Sequence, residues 1–420
     1  MAARRKRRAA YAITRIERDS LGEFEVPSAA LYGIQTQRSL GNLSFSGRSL
    51  GSLPEYVRAM AQVKKAAALA NRDAGVIKAP IAIAIGRACD SLIARDHLDQ
   101  FPVDPLSGGG SIAINMNVNE VIANLASEIL GAERGAYDPI QPKTHVNASQ
   151  STADVCQTAS RIAILTQWRR LHGTLDSCAA AMRAKEREFR SVITIARTCL
   201  QDASPVALGT LFGGYAAAIA RRAADIDRAV AALHRINLGG TVIGSGEGAP
   251  LAYRRAIAKR ICEVTGLKLA RTADLYDAAQ NIDELAALAA ALGLLAEVLL
   301  KVAQDLRMLS SGPDGGFGEI RLPAVQEGSS FFAGKINPVI PETLMQCCFQ
   351  VLGCERAARL ALEHGELNLN VFEGAAVVNI LDAIAMLQRS LATFTEKCVQ
   401  GIEANEARCR ELAERPRFRN

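Results

Sequence analysis

The chain has 420 residues, 49% hydrophobic and 22% charged, a balance that suits a folded globular protein and excludes an intrinsically disordered one. Its net charge of +6 owes five positive charges to Arg4-Arg5-Lys6-Arg7-Arg8, so the body is nearly neutral. That run is expected to form a solvated, disordered tail over residues 1–12, not a nucleic-acid or membrane-surface arm.

No apolar stretch of signal-peptide length follows the tail, and a cytoplasmic location is expected. Aromatic residues make up only 5% of the chain while alanine and leucine dominate, which favours helix packed on helix over sheets. The predicted fold class is therefore mainly α.

From Ile13 to about Asn147 short extended pieces, turns and medium helices alternate, with punctuation at Pro27, Gly33, Gly41, Gly47 and Pro54. Pro54 to Gly75 reads as one helix. We take 13–147 as an N-terminal domain. Long helical patterns then take over, over Ala153 to Arg190, Pro205 to Asn237, Asn281 to Leu309, Pro338 to His364 and Val371 to Glu403. They define a central helical-bundle domain over 148–397, followed by a short last segment, 398–420.

The third long pattern is the clearest. Asn281 is placed to cap it with Glu284 three residues on, and Leu285, Leu288, Leu292, Leu295, Leu299, Val302, Leu306 and Leu309 recur at alternating spacings of three and four. Such a helix spans on the order of 40 Å. Its other face carries Ala286, Ala287, Ala289, Ala290, Ala291 and Ala296, so apolar surface on two sides predicts a place inside a multi-chain bundle. Glu284, Glu297, Lys301 and Asp305 interrupt the run and argue against a membrane span.

The ten cysteines and five histidines show no metal-like spacing, so neither a metal nor a cofactor is expected. His145, near a helix start, is read as satisfying a local hydrogen bond. The most informative stretch is Gly328-Ser329-Ser330-Phe331-Phe332-Ala333-Gly334-Lys335-Ile336-Asn337-Pro338. Two hydroxyls after a glycine, a lysine and an asparagine two apart, and a proline opening a helix make donors converge on one point, as an anion site requires. The preceding Ser310-Ser311-Gly312-Pro313-Asp314-Gly315-Gly316-Phe317-Gly318 is expected to serve as a hinge or lid.

This stretch resembles the signature of the aspartase/fumarase superfamily, G-S-S-x-M-P-x-K-x-N-P, with Phe332-Ala333 in place of Met-Pro. The resemblance runs from about Arg15 to Asn405 and leans towards the aspartase branch. It includes Leu21 to Pro27, Tyr32 to Thr36, Val63-Lys64-Lys65-Ala66-Ala67, Gln100 to Asp104, Asn115-Met116-Asn117-Val118-Asn119-Glu120, Leu200 to Ala203 and Ile336 to Glu342.

The resemblance implies a homotetramer around a central helical bundle, with active sites shared between subunits, acting on a small dicarboxylate. It also implies roles for particular residues. Ser329 is the base that removes a proton beside a carboxylate, and Lys335 and Asn337 hold that carboxylate. Glu342 is the partner of a family histidine whose place is taken here by Cys199. Ser111, Ser151, Thr152 and Ser330 lie in the blocks that bind the other carboxylate, and Thr198 faces the leaving group. The chemistry suits these residue types, since proton removal creates a doubly charged aci-carboxylate and donors must be aimed where that charge develops.

The departures from the family pattern lie at the pocket. Ile112 replaces a threonine and Ala153 an asparagine, while Cys199 stands at the histidine position and Phe331 and Phe332 add bulk. The family's small C-terminal helical domain is expected to be reduced to the segment 398–420. These features imply an aspartase-like carbon–heteroatom lyase that acts on aspartate or a substituted succinate and gives a fumarate-like product. The alternatives are a cycloisomerase or lyase for a larger dicarboxylate, and a noncatalytic bundle scaffold.

Overall fold

The computed structural model of the protein describes residues 13–414, so the tail expected over 1–12 and residues 415–420 lie outside the described residues. In chain order the elements are β1 (Thr14–Asp19), β2 (Gly22–Pro27), α1 (Ile34–Leu43), α2 (Pro54–Asp73), α3 (Ala79–Ile93), α4 (Ile112–Ile129) and α5 (Thr152–Glu188). There follow β3 (Ile193–Thr198), β4 (Gln201–Ala207), α6 (Leu208–Ala232), β5 (Arg235–Ile236), α7 (Leu251–Thr265), β6 (Ala270–Arg271), α8 (Leu275–Gln280) and α9 (Asp283–Leu309). The chain closes with β7 (Ile320–Arg321), α10 (Val339–Glu363), α11 (Glu373–Lys397), β8 (Glu403–Ala404) and α12 (Glu406–Glu414). Among the described residues the strands pair only as two-stranded ribbons, so the protein is mainly α, as its alanine- and leucine-rich composition implies.

The described residues form two compact units. One comprises 13–164, 233–283 and 360–378, and the other 165–232, 284–359 and 379–414. In the first, α2 starts with Pro54 at its first turn, where a missing N–H costs nothing, and packs along α3 and α7. Helix α1 has no side-chain cap of its own. The buried Glu120 of α4 supplies one, accepting from Gly33 N at 2.9 Å, Gln35 N at 2.8 Å and Thr36 Oγ1 at 2.7 Å. That cap fixes α4, and with it the helix start at Ser111.

In the second unit the predicted seam of α9 is realised within a single chain. Leu285, Leu288, Leu292, Leu295, Leu299, Val302, Leu306 and Leu309 are all buried, each stabilising the fold by roughly 1.5–3 kcal/mol. Gly293 lets α10 approach, because a Cβ there would lie 3.1 Å from Glu355 Cγ. The outer face of α9, with Ala287 and Leu294, stays exposed.

Helix ends differ from the sequence expectation in instructive places. Asn281 does not cap α9, which begins at Asp283; its Nδ2 donates to Asp277 Oδ1 at 2.6 Å, closing the end of α8 instead. Pro205 does not start a helix but lies on β4 opposite Ile195. A two-stranded ribbon has only edge strands, and an edge tolerates proline. The β3–β4 turn is Cys199-Leu200, with φ of 53° and 61°. This hairpin turn lacks the Asn-Gly signal that usually announces it. The last long helix stops at Lys397 rather than Glu403, which pairs in β8 with β7.

The glycine-rich run at 310–318 is a compact anchored turn rather than a free hinge. Ser311 Oγ accepts from Phe317 N at 3.1 Å, Asn405 Nδ2 donates to Gly318 O at 2.9 Å, and Arg408 Nε donates to Phe317 O at 3.1 Å. A Cβ at Gly316 would lie 2.5 Å from the Ser311 backbone, so here glycine permits close approach.

Candidate active site

The signature stretch forms a loop between β7 and α10, closed on itself by backbone geometry. Gly328 N donates to Lys335 O at 2.8 Å, and Asn337 Nδ2 donates to Gly328 O at 2.6 Å. Gly334 makes the return at φ 77°, a conformation glycine adopts without penalty. Inside this ring, Ser329 Oγ accepts from Phe331 N at 3.0 Å and from Phe332 N at 2.8 Å. Two N–H groups aimed at one hydroxyl oxygen favour its anionic form, as a serine acting as a base requires. Ser330 and Lys335 are exposed, and Phe331 and Phe332 form an edge-to-face pair with ring centres 4.9 Å apart.

Gly328 is the constraint on this ring. A Cβ at that position would sit 2.5 Å from Asn337 N and 2.7 Å from Lys335 O, both backbone atoms that cannot move aside cheaply. Gly328→Ala is expected to lower kcat/KM by about tenfold or more through misplacement of Ser329. Its melting temperature should stay close to wild type, because the loop is largely solvent-exposed. Steady-state kinetics beside a thermal melt would check this.

Glu342 lies in the first turn of α10, where Arg307 Nη2 meets its Oε1 at 3.2 Å. Thr198 and Cys199 sit exposed at the tip of the β3–β4 hairpin, and Cys199 and Leu200 hold left-handed backbone that non-glycine residues rarely adopt. Glu319 anchors the base of that hairpin: its side chain meets Thr194 Oγ1, and Arg197 Nη1 lies at 2.6 Å from Oε1. Among the described residues no hydrogen bond joins Thr198 or Cys199 to the signature loop. The same unit also has an apolar cavity of about 590 Å³ lined by Thr194, Arg197, Tyr215, Lys301 and Val302. It contains no residue of the loop, and the loop's chemistry outweighs the cavity's size as a guide to the site.

Ser111, Ser151 and Thr152 lie in the other unit. Ser111 opens α4 with φ 68°, its hydroxyl packed where a Cβ on Gly374 would come within 2.8 Å. Ser151 and Asp154 form a reciprocal cap on α5: Ser151 N donates to Asp154 Oδ1 at 2.9 Å, and Ala153 N donates to Ser151 Oγ at 3.3 Å. The second oxygen of Asp154 accepts from Gly239 N at 2.9 Å and Thr241 N at 3.1 Å. Burial nevertheless pushes the Asp154 carboxyl up to about 6. Thr152 Oγ1 accepts from Asn115 Nδ2 at 2.9 Å. His145 Nδ1 accepts from Gln141 N at 3.0 Å, the local bond expected of it, and burial lowers its pKa.

The sequence reading did not assign roles to Lys64, Asn147, Asp154 or Arg307. One signal was available: Asn115 and Asn119 are four residues apart, hence on one helix face, and both donate to Asn147 Oδ1, at 3.1 and 3.2 Å. A buried lysine gives no such signal, because burial is decided by packing that a single sequence does not display.

Comparison with known proteins bears on this geometry. Residues 22–353 match the family model described as lyase. The aspartate ammonia-lyase of Helicobacter pylori is 43% identical over 400 residues, covering 94% of this chain and 85% of that protein. The aspartate ammonia-lyase of Bacillus subtilis is 41% identical, covering 96% and 84%. Among solved structures, a fumarate lyase:delta crystallin from Brucella melitensis bound to cobalt superposes with a TM-score of 0.94 at 45% identity, covering 96% of this chain and 87% of that one. The class II fumarase of Schistosoma mansoni does so with 0.92 at 30% identity, covering 95% and 87%. Identity at this level along almost the whole chain, together with the signature loop folded around Ser329, establishes that the chain belongs to the lyase family to which these aspartate ammonia-lyases and fumarases belong.

Proposed function

We propose that this protein is an aspartase-like carbon–nitrogen lyase that removes a proton from the carbon beside a carboxylate and expels an amine, leaving fumarate or a close relative. The observation that carries this reading is the Ser329 hydroxyl, which receives two backbone N–H groups inside a loop pinned by Gly328, Lys335 and Asn337. Such a hydroxyl can be held as alkoxide, take the C–H proton, and leave the developing aci-carboxylate to Lys335 and Asn337. Ser111, Ser151, Thr152 and Ser330 receive the distal carboxylate in this reading, and Thr198 and Cys199 face the leaving group. Glu342 acts in the proton chemistry.

Within that activity we favour a substituted succinate over L-aspartate. Ile112 and Ala153 offer no hydrogen bond where an ammonium or a carboxylate would need one. Phe331 and Phe332 are 84% and 62% exposed in the loop, an apolar surface ready to cover a bulky substituent. Each missing charge-assisted contact weakens binding by about 1.5–3 kcal/mol. Absorbance of the new conjugated alkene, followed over a panel of succinate derivatives, is expected to show a bulkier, less polar amine reacting faster than L-aspartate. The reverse order, at kcat/KM of about 10⁴ M⁻¹s⁻¹ or more on L-aspartate, would make the chain a plain aspartase. No alkene from any member of the panel would remove the lyase reading.

Homotetrameric assembly with active sites completed between subunits is part of the same proposal. Its support is the exposed apolar outer face of α9, where Leu294 is 47% exposed. A cytoplasmic location is also proposed, in keeping with ten free cysteines, a state that reducing compartments maintain.

A further inference from the structure

Lys64 sits in the interior of α2 with none of its surface exposed, and its Nζ donates to Asn147 Oδ1 at 2.8 Å. An ammonium has three donors and no acceptor, so the atom Asn147 turns towards it must be its carbonyl oxygen. The opposite end of the same amide agrees, since Asn147 Nδ2 donates to Gln150 O at 3.2 Å. With that oxygen fixed, Asn115 and Asn119 can meet it only through their Nδ2 groups, at 3.1 and 3.2 Å. Asn115 Nδ2 also donates to Thr152 Oγ1 at 2.9 Å. Thr152 therefore accepts from inside the protein, and its own hydroxyl hydrogen is left to donate elsewhere. Amides are two-fold ambiguous in their hydrogen bonding, and here a donor-only group at one end sets the direction of the whole chain.

We propose that Lys64 is a positioning residue for substrate binding: through Asn147 and Asn115 it holds the Thr152 hydroxyl as a donor towards a carboxylate of the dicarboxylate. This rests on the reading of Ser151 and Thr152 as carboxylate-binding residues. Asn115 is 1% exposed and its Oδ1 has no partner among the described residues, so one polar atom of the relay is left over. Burial pulls the Lys64 ammonium down to about 7, against the smaller opposing pull of Cys156 and Asp154. A neutral amine could accept as well as donate, and the directional constraint would be lost.

The test is calorimetric binding of fumarate to the full-length protein and to Lys64→Met, Thr152→Val and the double variant. The expected result is a fumarate Kd raised about tenfold or more in each single variant, with the double variant no weaker than the weaker single. Steady-state kinetics should show the Lys64→Met change in KM rather than kcat, since a lysine serving only the fold would reduce the active fraction and leave KM alone. Wild-type fumarate binding by Lys64→Met beside weakened binding by Thr152→Val would overturn the proposal, as would additive losses in the double variant. Wild-type binding by Thr152→Val would instead remove the carboxylate-block reading, and the relay with it. If Lys64→Met does not fold, Asn115→Leu breaks the chain with the lysine in place. The same loss is then expected, and wild-type binding would refute the relay.

Discussion

Ser329→Ala is expected to reduce turnover by roughly 10²–10⁴-fold, the usual contribution of a positioned general base, while leaving the fold intact. The hydroxyl is half-buried in an exposed loop and, among the described residues, accepts from Phe331 N and Phe332 N alone, so its removal frees two amides that water can reach. Ser330→Ala provides the contrast, because Ser330 is exposed and is assigned to carboxylate binding: it should raise KM and spare kcat. Single-turnover kinetics on the best substrate of the succinate panel, with thermal melts of both variants, would separate the two roles. A near-normal rate in Ser329→Ala would place the base elsewhere and leave the loop an anion cradle.

The second large effect concerns α9. Leu295 has no exposed surface within the single chain, whereas its neighbour Leu294 is 47% exposed. Leu295→Asp forfeits a buried leucine, worth about 2–5 kcal/mol, and adds an unpaired buried carboxylate costing several more. Against a total stability of about 5–15 kcal/mol, that combination is expected to unfold the chain. Leu294→Asp places the same charge on the outer face, where it should leave the chain folded and break the assembly. Circular dichroism with light scattering would read both. A folded Leu295→Asp would contradict the packing of the seam, and an unchanged particle size for Leu294→Asp would argue against the proposed use of that face between subunits.

Much of this protein is legible in its sequence because its dominant forces are periodic and local. The three-and-four spacing from Leu285 to Leu309 specifies a helix and its buried stripe, and all eight positions are buried. The signature loop was legible as one unit because the residues that close it, Gly328, Lys335 and Asn337, lie within a dozen consecutive residues. What the sequence left open depends on partners far along the chain. Asn281 has the chemistry of a cap, yet its Nδ2 and backbone N–H both donate back to Asp277 and close α8, while α9 begins only at Asp283. Pro205 reads as a helix start, yet pairing with Ile195 makes it a strand residue, a choice made by a turn at Cys199-Leu200 whose left-handed backbone no local preference announces. The glycine-rich run reads as a hinge until Asn405 and Arg408, some ninety residues away, pin it.

The sequence by itself determined the helical class, the seam and the signature loop, because spacing and side-chain chemistry act over a few residues. The burial of Lys64 and the bond that Thr152 accepts from Asn115 were decided only by tertiary structure. Desolvation and hydrogen-bond direction are properties of three-dimensional neighbours such as Asn115 and Asn147, which lie 51 and 83 residues from Lys64 along the chain.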